Sequence, residues 1–185
     1  MIRPDDVIRI TLSGPTYDAV LEAAESSTLG GRSRVRQGND QAAHCRTDQL
    51  VGRAGEAALA IWLTGSDRAF RLTRRAADRA PYVGDGGSDL IELDLLDVKA
   101  SLDRYPDRDL LDYHLVVRPE ERHEGALYVL GIVTLDEQGE EAEVFLLGWL
   151  READLPEEPD GRGTFEGAYT VKGRDLNPLP PLRWI

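Results

Sequence analysis

The chain has 185 residues, 41% of them hydrophobic and 30% charged, which suits one soluble globular domain with room for a sizeable core. Asp and Glu number 34 against 22 Lys and Arg, and the resulting charge of −12 argues against a protein that coats nucleic acid by bulk electrostatics. A single cysteine, Cys45, excludes an internal disulfide and, with only three histidines, a zinc framework; it fits a reducing, cytoplasmic setting.

Met1-Ile2-Arg3-Pro4-Asp5-Asp6 lacks a positive region followed by an apolar core, so no secretory signal is expected. No apolar run nears the ~20 residues that cross a bilayer, so no membrane is expected either. Residues 7–12 alternate apolar and polar and predict a short strand. Ser13-Gly14-Pro15 reads as a turn. Thr16–Glu25 then predicts a packing helix with Tyr17, Val20, Leu21 and Ala24 on one face.

Residues 26–46 are rich in Gly, Ser and Arg and read as a loop. Arg32, Arg34, Arg36 and Arg46 make this loop either a solvated connection or an arm that contacts phosphate, since guanidinium forks suit phosphate oxygens. Thr47–Leu63 predicts the strongest helix, capped by Thr47 or Asp48 and followed by Gly65. Leu50, Val51, Ala54, Ala57, Ala58, Ile61 and Trp62 form its core stripe, with Gly52, Gly55, Leu59 and Leu63 as a second small and apolar flank. Glycine inside a helix costs up to ~1 kcal/mol relative to alanine, so Gly52 and Gly55 imply close approach of another backbone. Glu56 beside them is either a solvated surface acid or an acid pointing into a crevice against a sheet. Phe70–Arg74 alternates like a strand, or continues to Arg79 as a basic helix.

Pro81 and the Gly84–Gly87 run break the chain. Leu90–Ala100 reads as buried strand material, as two short strands joined near Glu92–Asp94. Residues 102–112 are polar, contain Pro106 and make a poor helix. Further strands are expected at 113–118, 126–135, 141–150 (after an Asp136–Gly139 hairpin turn) and 168–172. An exposed acidic loop spans 156–163. The proline-punctuated tail from Leu176 is expected to pack on the body.

Charge is segregated along this order. From Arg32 to Arg79 ten arginines face five acids, a local +5, so the remainder holds −17. Of the 22 basic residues only two, Lys99 and Lys172, are lysine. Lysine is a compact, adaptable point charge where arginine is a permanent fork. Lys99 stands two residues after Asp97 inside an apolar strand, so both side chains leave one face. Asp89, a short turn upstream, can reach the same spot, and the Val98 carbonyl offers a further oxygen to a hard cation. Phosphodiester hydrolysis needs charge neutralised, a water made nucleophilic and a leaving oxygen stabilised; acids that bind Mg²⁺ and a nearby lysine meet those needs.

The order of these parts, a helix with Gly52-Arg53-Ala54-Gly55-Glu56, a basic segment, a Gly-rich turn, Asp89 and then Asp97-Val98-Lys99, resembles the PD-(D/E)XK nuclease superfamily. The likeness covers residues 47 to about 135. It implies an α/β fold of the restriction-endonuclease-like kind, a central mixed β-sheet flanked by helices, and a Mg²⁺-dependent deoxyribonuclease in which Mn²⁺ can substitute. It implies that Asp89, Asp97, Glu56 and the Val98 carbonyl hold metal and that Lys99 assists the water. DNA is the implied partner, with Arg32, Arg34, Arg36, Arg53, Arg74 and Arg75 on the phosphate backbone; the oligomeric state stays open, a homodimer included. The alternative is a domain of the same fold that binds nucleic acid or protein without cutting.

Two departures from the family pattern stand out. Ser88 replaces the proline of the motif name, and residues 102–112 do not supply the helix that usually follows the Asp-x-Lys strand, which leaves the sheet order beyond Lys99 open. The chain is read as a single domain over 1–185. It comprises an N-terminal strand, helix and basic loop (1–46), a core with the motif (47–135), and a C-terminal hairpin, short strand and tail (136–185). Other groups are read more plainly. Asp85–Asp89 lacks the glycine a calcium loop needs where Leu90 stands. His44, Cys45, His114 and His123 read as core or surface residues, and Trp62, Trp149 and Trp184 as packing residues.

Overall fold

The computed structural model describes residues 2–29, 41–72, 95–105, 107–161 and 166–180, with backbone alone at 27–29 and 41–45. Asp89, Arg32, Arg34, Arg36, Arg74, Arg75, the Gly84–Gly87 turn and the first half of the expected 90–100 strand lie outside the described residues.

A four-stranded mixed sheet forms the centre, in the order β1 (Ile8–Ser13), β5 (Glu141–Arg151), β4 (Leu127–Leu135), β2 (Leu96–Leu102). β4 runs antiparallel to β5 and parallel to β2, and β5 runs antiparallel to β1. β3 (His114–Val117) and β6 (Tyr169–Lys172) make a second, two-stranded antiparallel sheet. Helices α1 (Gly14–Leu29) and α2 (Gln41–Thr64) pack on the four-stranded sheet.

The core is split by the central sheet. On one face Val129 and Val133 of β4, Val144 and Leu146 of β5 and Val98 of β2 pack with α1 and α2. On the other, Tyr128, Leu130 and Ile132 of β4 pack with Leu115 and Val117 of β3. β4 is therefore covered on both sides, which explains its nearly unbroken apolar sequence. α2 is buried on almost every side from Ala54 to Ala60, because α1 covers the flank that β2 does not.

The expected strands at 7–12, 113–118, 126–135, 141–150 and 168–172 form within a residue or two of their predicted ends. Gly65, at φ +73°, ends α2 with its N–H on the Ile61 carbonyl at 2.8 Å. Leu176 and Leu179 of the tail are buried, and Asn177 exchanges two backbone hydrogen bonds of 3.0 Å with Trp149.

Two expectations are corrected. The loop over 26–46 is helical at both ends, since α1 runs to Leu29 and α2 starts at Gln41. Thr47 and Asp48 consequently lie inside α2 and not at its N-terminus; the Gly, Ser and Arg content marked weak helix formers and hid the helix ends. Of the two readings left open for Phe70–Arg74, the helical one describes Phe70–Leu72. Ser66 Oγ accepts the Arg68 N–H at 3.1 Å, Asp67 and Arg71 pair at the helical i,i+4 spacing, and Ala69 and Phe70 are buried. The expected turn at Ser13-Gly14-Pro15 leads straight from β1 into α1 through Gly14 at φ +52°.

The parallel β2–β4 pair needs a crossover of a dozen or more residues. Residues 103–126 provide it without an α-helix, using a 3-10 turn at Leu110–Asp112, β3 and a second 3-10 turn at Pro119–Glu121. β3 lays this connection on the face away from α2. No helix among the described residues is long and apolar enough to cross a membrane.

Of the two helix glycines, only Gly55 meets a neighbour. A Cβ there would stand 2.8 Å from the Ala100 Cβ and 3.4 Å from a Val98 methyl, whereas at Gly52 none of the described atoms lies within 4 Å. Gly55→Ala should therefore destabilise the protein by about 1–2 kcal/mol, overpacking outweighing the gain in helix propensity. Gly52→Ala should stabilise it by up to ~1 kcal/mol. Urea unfolding of both variants checks the opposite signs.

Candidate functional site

Alternation along β2 sends Val98 and Ala100 to α2 and sends Asp97 and Lys99 to the opposite face. There Asp97 stands across the ladder from Tyr128, and Lys99 Nζ lies 6.0 Å from the centre of the Tyr128 ring. The amine is 2.7 Å from Asp97 Oδ2 and 3.3 Å from Glu121 Oε2. The Lys99 side chain keeps 20% of its surface exposed. The predicted pairing of Asp97 and Lys99 on one face is thus present.

Tyr128 is the buried support of this group. Its hydroxyl accepts the His123 N–H and donates to the Glu121 carbonyl, both at 3.0 Å, which pins the 3-10 turn that carries Glu121. Burial, resisted by the His123 hydrogen bond and helped by the nearby Asp97 charge, pushes the phenol above its ordinary pKa. It remains a neutral donor. The other Glu121 oxygen lies 3.8 Å from the Arg118 guanidinium.

Backbone phase places one more oxygen. The Leu127 N–H donates to the Leu95 carbonyl and the Asp103 N–H to the Val133 carbonyl, each at 2.8 Å, so odd-numbered residues of β2 bond β4. The Val98 carbonyl accordingly points away from β4. Leu95, which opens β2, holds φ +64°, a left-handed conformation that costs a residue with a side chain about 1 kcal/mol. A Cβ built on Gly125, which holds φ +79°, would stand 3.5 Å from the Leu95 side chain.

Glu56 is not a surface acid. It is 4% exposed and ion-paired with Arg53 one turn before it, so the crevice alternative describes it. Arg53, expected on DNA, is itself mostly buried against that carboxylate. Gly55 next to Glu56 seats α2 on β2, on the face opposite to Asp97 and Lys99.

A hard divalent cation takes oxygen ligands, and the Asp97 carboxylate with the adjacent Val98 carbonyl is a donor set of that kind. Among the described residues no three of His, Cys, Asp and Glu come together as a metal site, and Asp89 lies outside them. Sequence reasoning missed Glu121 and Tyr128. Glu121 is 22 positions from Lys99, and no local period connects a 3-10 turn in a crossover to a strand that precedes it.

Compared with family models, with curated proteins and with solved structures, the chain finds no match in any of the three.

The Arg53–Glu56 pair carries a stability consequence. Removing one partner of a buried pair leaves its charge poorly compensated, so Arg53→Leu should lower the unfolding free energy by about 3 kcal/mol. Arg3→Leu, which breaks the exposed pair with Asp6, should leave the unfolding midpoint in place; parallel urea titrations measure the contrast.

Proposed function

We propose that this protein is a metal-dependent nuclease that hydrolyses DNA phosphodiester bonds, with the restriction-endonuclease-like core that its motif order resembles. The observation that supports this most is the placement of Lys99 Nζ 2.7 Å from Asp97 Oδ2, on one face of the parallel strand β2. In this reading Asp97, Asp89 and the Val98 carbonyl would hold Mg²⁺ or Mn²⁺, and Glu56, on the α2 side of β2 and paired with Arg53, stands apart from them. The ion, when bound, neutralises phosphate charge and makes a bound water more acidic.

The chain's own residues do the rest. Lys99 Nζ has three hydrogens to donate, enough to orient an attacking water and a non-bridging phosphate oxygen together. Asp97 holds that amine in place. Hydrolysis forms one bond from water oxygen to phosphorus and breaks one from phosphorus to the departing oxygen, which takes up a proton. The Tyr128 ring beneath Lys99 keeps bulk water off the inner side of the amine. Arg32, Arg34, Arg36, Arg74 and Arg75 contact the DNA backbone, giving salt-sensitive binding without base readout, while Arg53 neutralises Glu56.

A second reading is a domain of this fold that binds nucleic acid or protein without cutting. It is favoured by the way Lys99 already bridges the carboxylates of Asp97 and Glu121.

Cleavage of plasmid and linear DNA in Mg²⁺ and in Mn²⁺ separates the two. Lys99→Ala and Asp97→Ala should each reduce cutting at least ~100-fold, within the range of a lost proton-transfer or orienting group, with circular dichroism unchanged. A folded wild type that binds DNA and cuts it in neither metal sinks the nuclease reading and leaves the second one standing.

A further inference from the structure

The Lys99 amine has a second anchor that the motif does not contain. Glu121 Oε2 lies 3.3 Å from Nζ, on the side of the amine supplied by the crossover and not by β2. Its turn is held from inside the core, since the hydroxyl of the fully buried Tyr128 bridges the His123 N–H and the Glu121 carbonyl. The Arg118 N–H donates to Glu121 Oε2 at 3.4 Å, and its guanidinium flanks the other oxygen at 3.8 Å, which restricts rotation of the carboxylate.

We infer that Glu121 is a positioning residue for Lys99, holding the amine over the site through a turn that Tyr128 pins, so that the amine stays in place when Asp97 is engaged by another cation. A lysine has four rotatable side-chain bonds, and a single carboxylate two residues away on the same strand restrains only part of that freedom. Two carboxylates approaching from different elements define a position. The physical part of the inference stands on the contacts alone; its catalytic consequence rests on the nuclease reading.

The chain's composition makes the test direct. It has two lysines, and Lys172 is exposed on β6, so lysine-selective ¹³Cε labelling of the full chain yields two side-chain signals, one of them an internal control. In the wild type Lys99 should show the higher order parameter. Glu121→Ala and Glu121→Gln should lower it toward the Lys172 value without moving Lys172, the Gln variant less because its amide oxygen still accepts. Tyr128→Phe should lower it in the same direction, and adding Tyr128→Phe to Glu121→Ala should change nothing more, because the hydroxyl acts through Glu121. A Lys99 signal as ordered in Glu121→Ala as in the wild type overturns the inference.

In the DNA-cleavage assay Glu121→Ala should lower kcat about tenfold, the lower end for a supporting contact, with KM little changed. Equal kcat in a variant whose Lys99 has become mobile overturns the catalytic consequence. A wild type that does not cut removes the nuclease reading, and the order parameters still decide whether Glu121 positions Lys99.

Discussion

The contact on which the rest of the molecule depends is the seating of α2 on β2 at Gly55. Helix and strand approach so closely there that Cβ positions would collide, and the missing side chain is what permits it. Because strand side chains alternate, filling the α2 face with Val98 and Ala100 commits Asp97 and Lys99 to the opposite face. One close approach therefore decides which side of the sheet carries the ionisable pair. It also buries Glu56, whose neighbour Gly55 is in that contact, and burial obliges Glu56 to keep its guanidinium partner.

The opposite face is shaped by the crossover. A parallel β2–β4 pair must be joined by a long connection, and in most α/β proteins that connection is a helix. Here it is irregular, with β3 packed on Leu130 and Ile132 and a 3-10 turn left standing over Lys99. A helix would present side chains at fixed 3.6-residue intervals. The short turn instead aims a single carboxylate at the amine, and Tyr128 ties it down from a position directly across the ladder from Asp97. Asp97, Lys99, Glu121 and Tyr128 thus form one connected group drawn from two strands and a turn. Leu95, held at a positive φ where β2 begins, lies two residues from Asp97, and local strain of this kind clusters where geometry matters.

Much of the fold was legible in the sequence because its signals are local. Period-2 alternation marked β1, the Asp136–Gly139 hairpin turn marked the start of β5, and the small and apolar flank of α2 marked close approach of another element. The errors were local as well. The Ser, Gly and Arg content around 26–46 hid two helix ends, at Leu29 and at Gln41. Glu56 looked like a surface acid because glutamate is mostly exposed; nothing in its helix announces that the neighbouring glycine faces a strand.

The two-residue spacing of Asp97 and Lys99 by itself determined that they share a face, since a strand repeats every two residues whatever surrounds it. It also determined that an amine and a carboxylate stand within reach of each other. Which face that is, and what closes over it, only the tertiary structure decided: α2 took one side of β2 through Gly55, and a crossover without a helix brought Glu121 to the other. That second contact joins residues 22 positions apart through a turn whose direction depends on a buried tyrosine hydroxyl. Local periodicity carries no record of it.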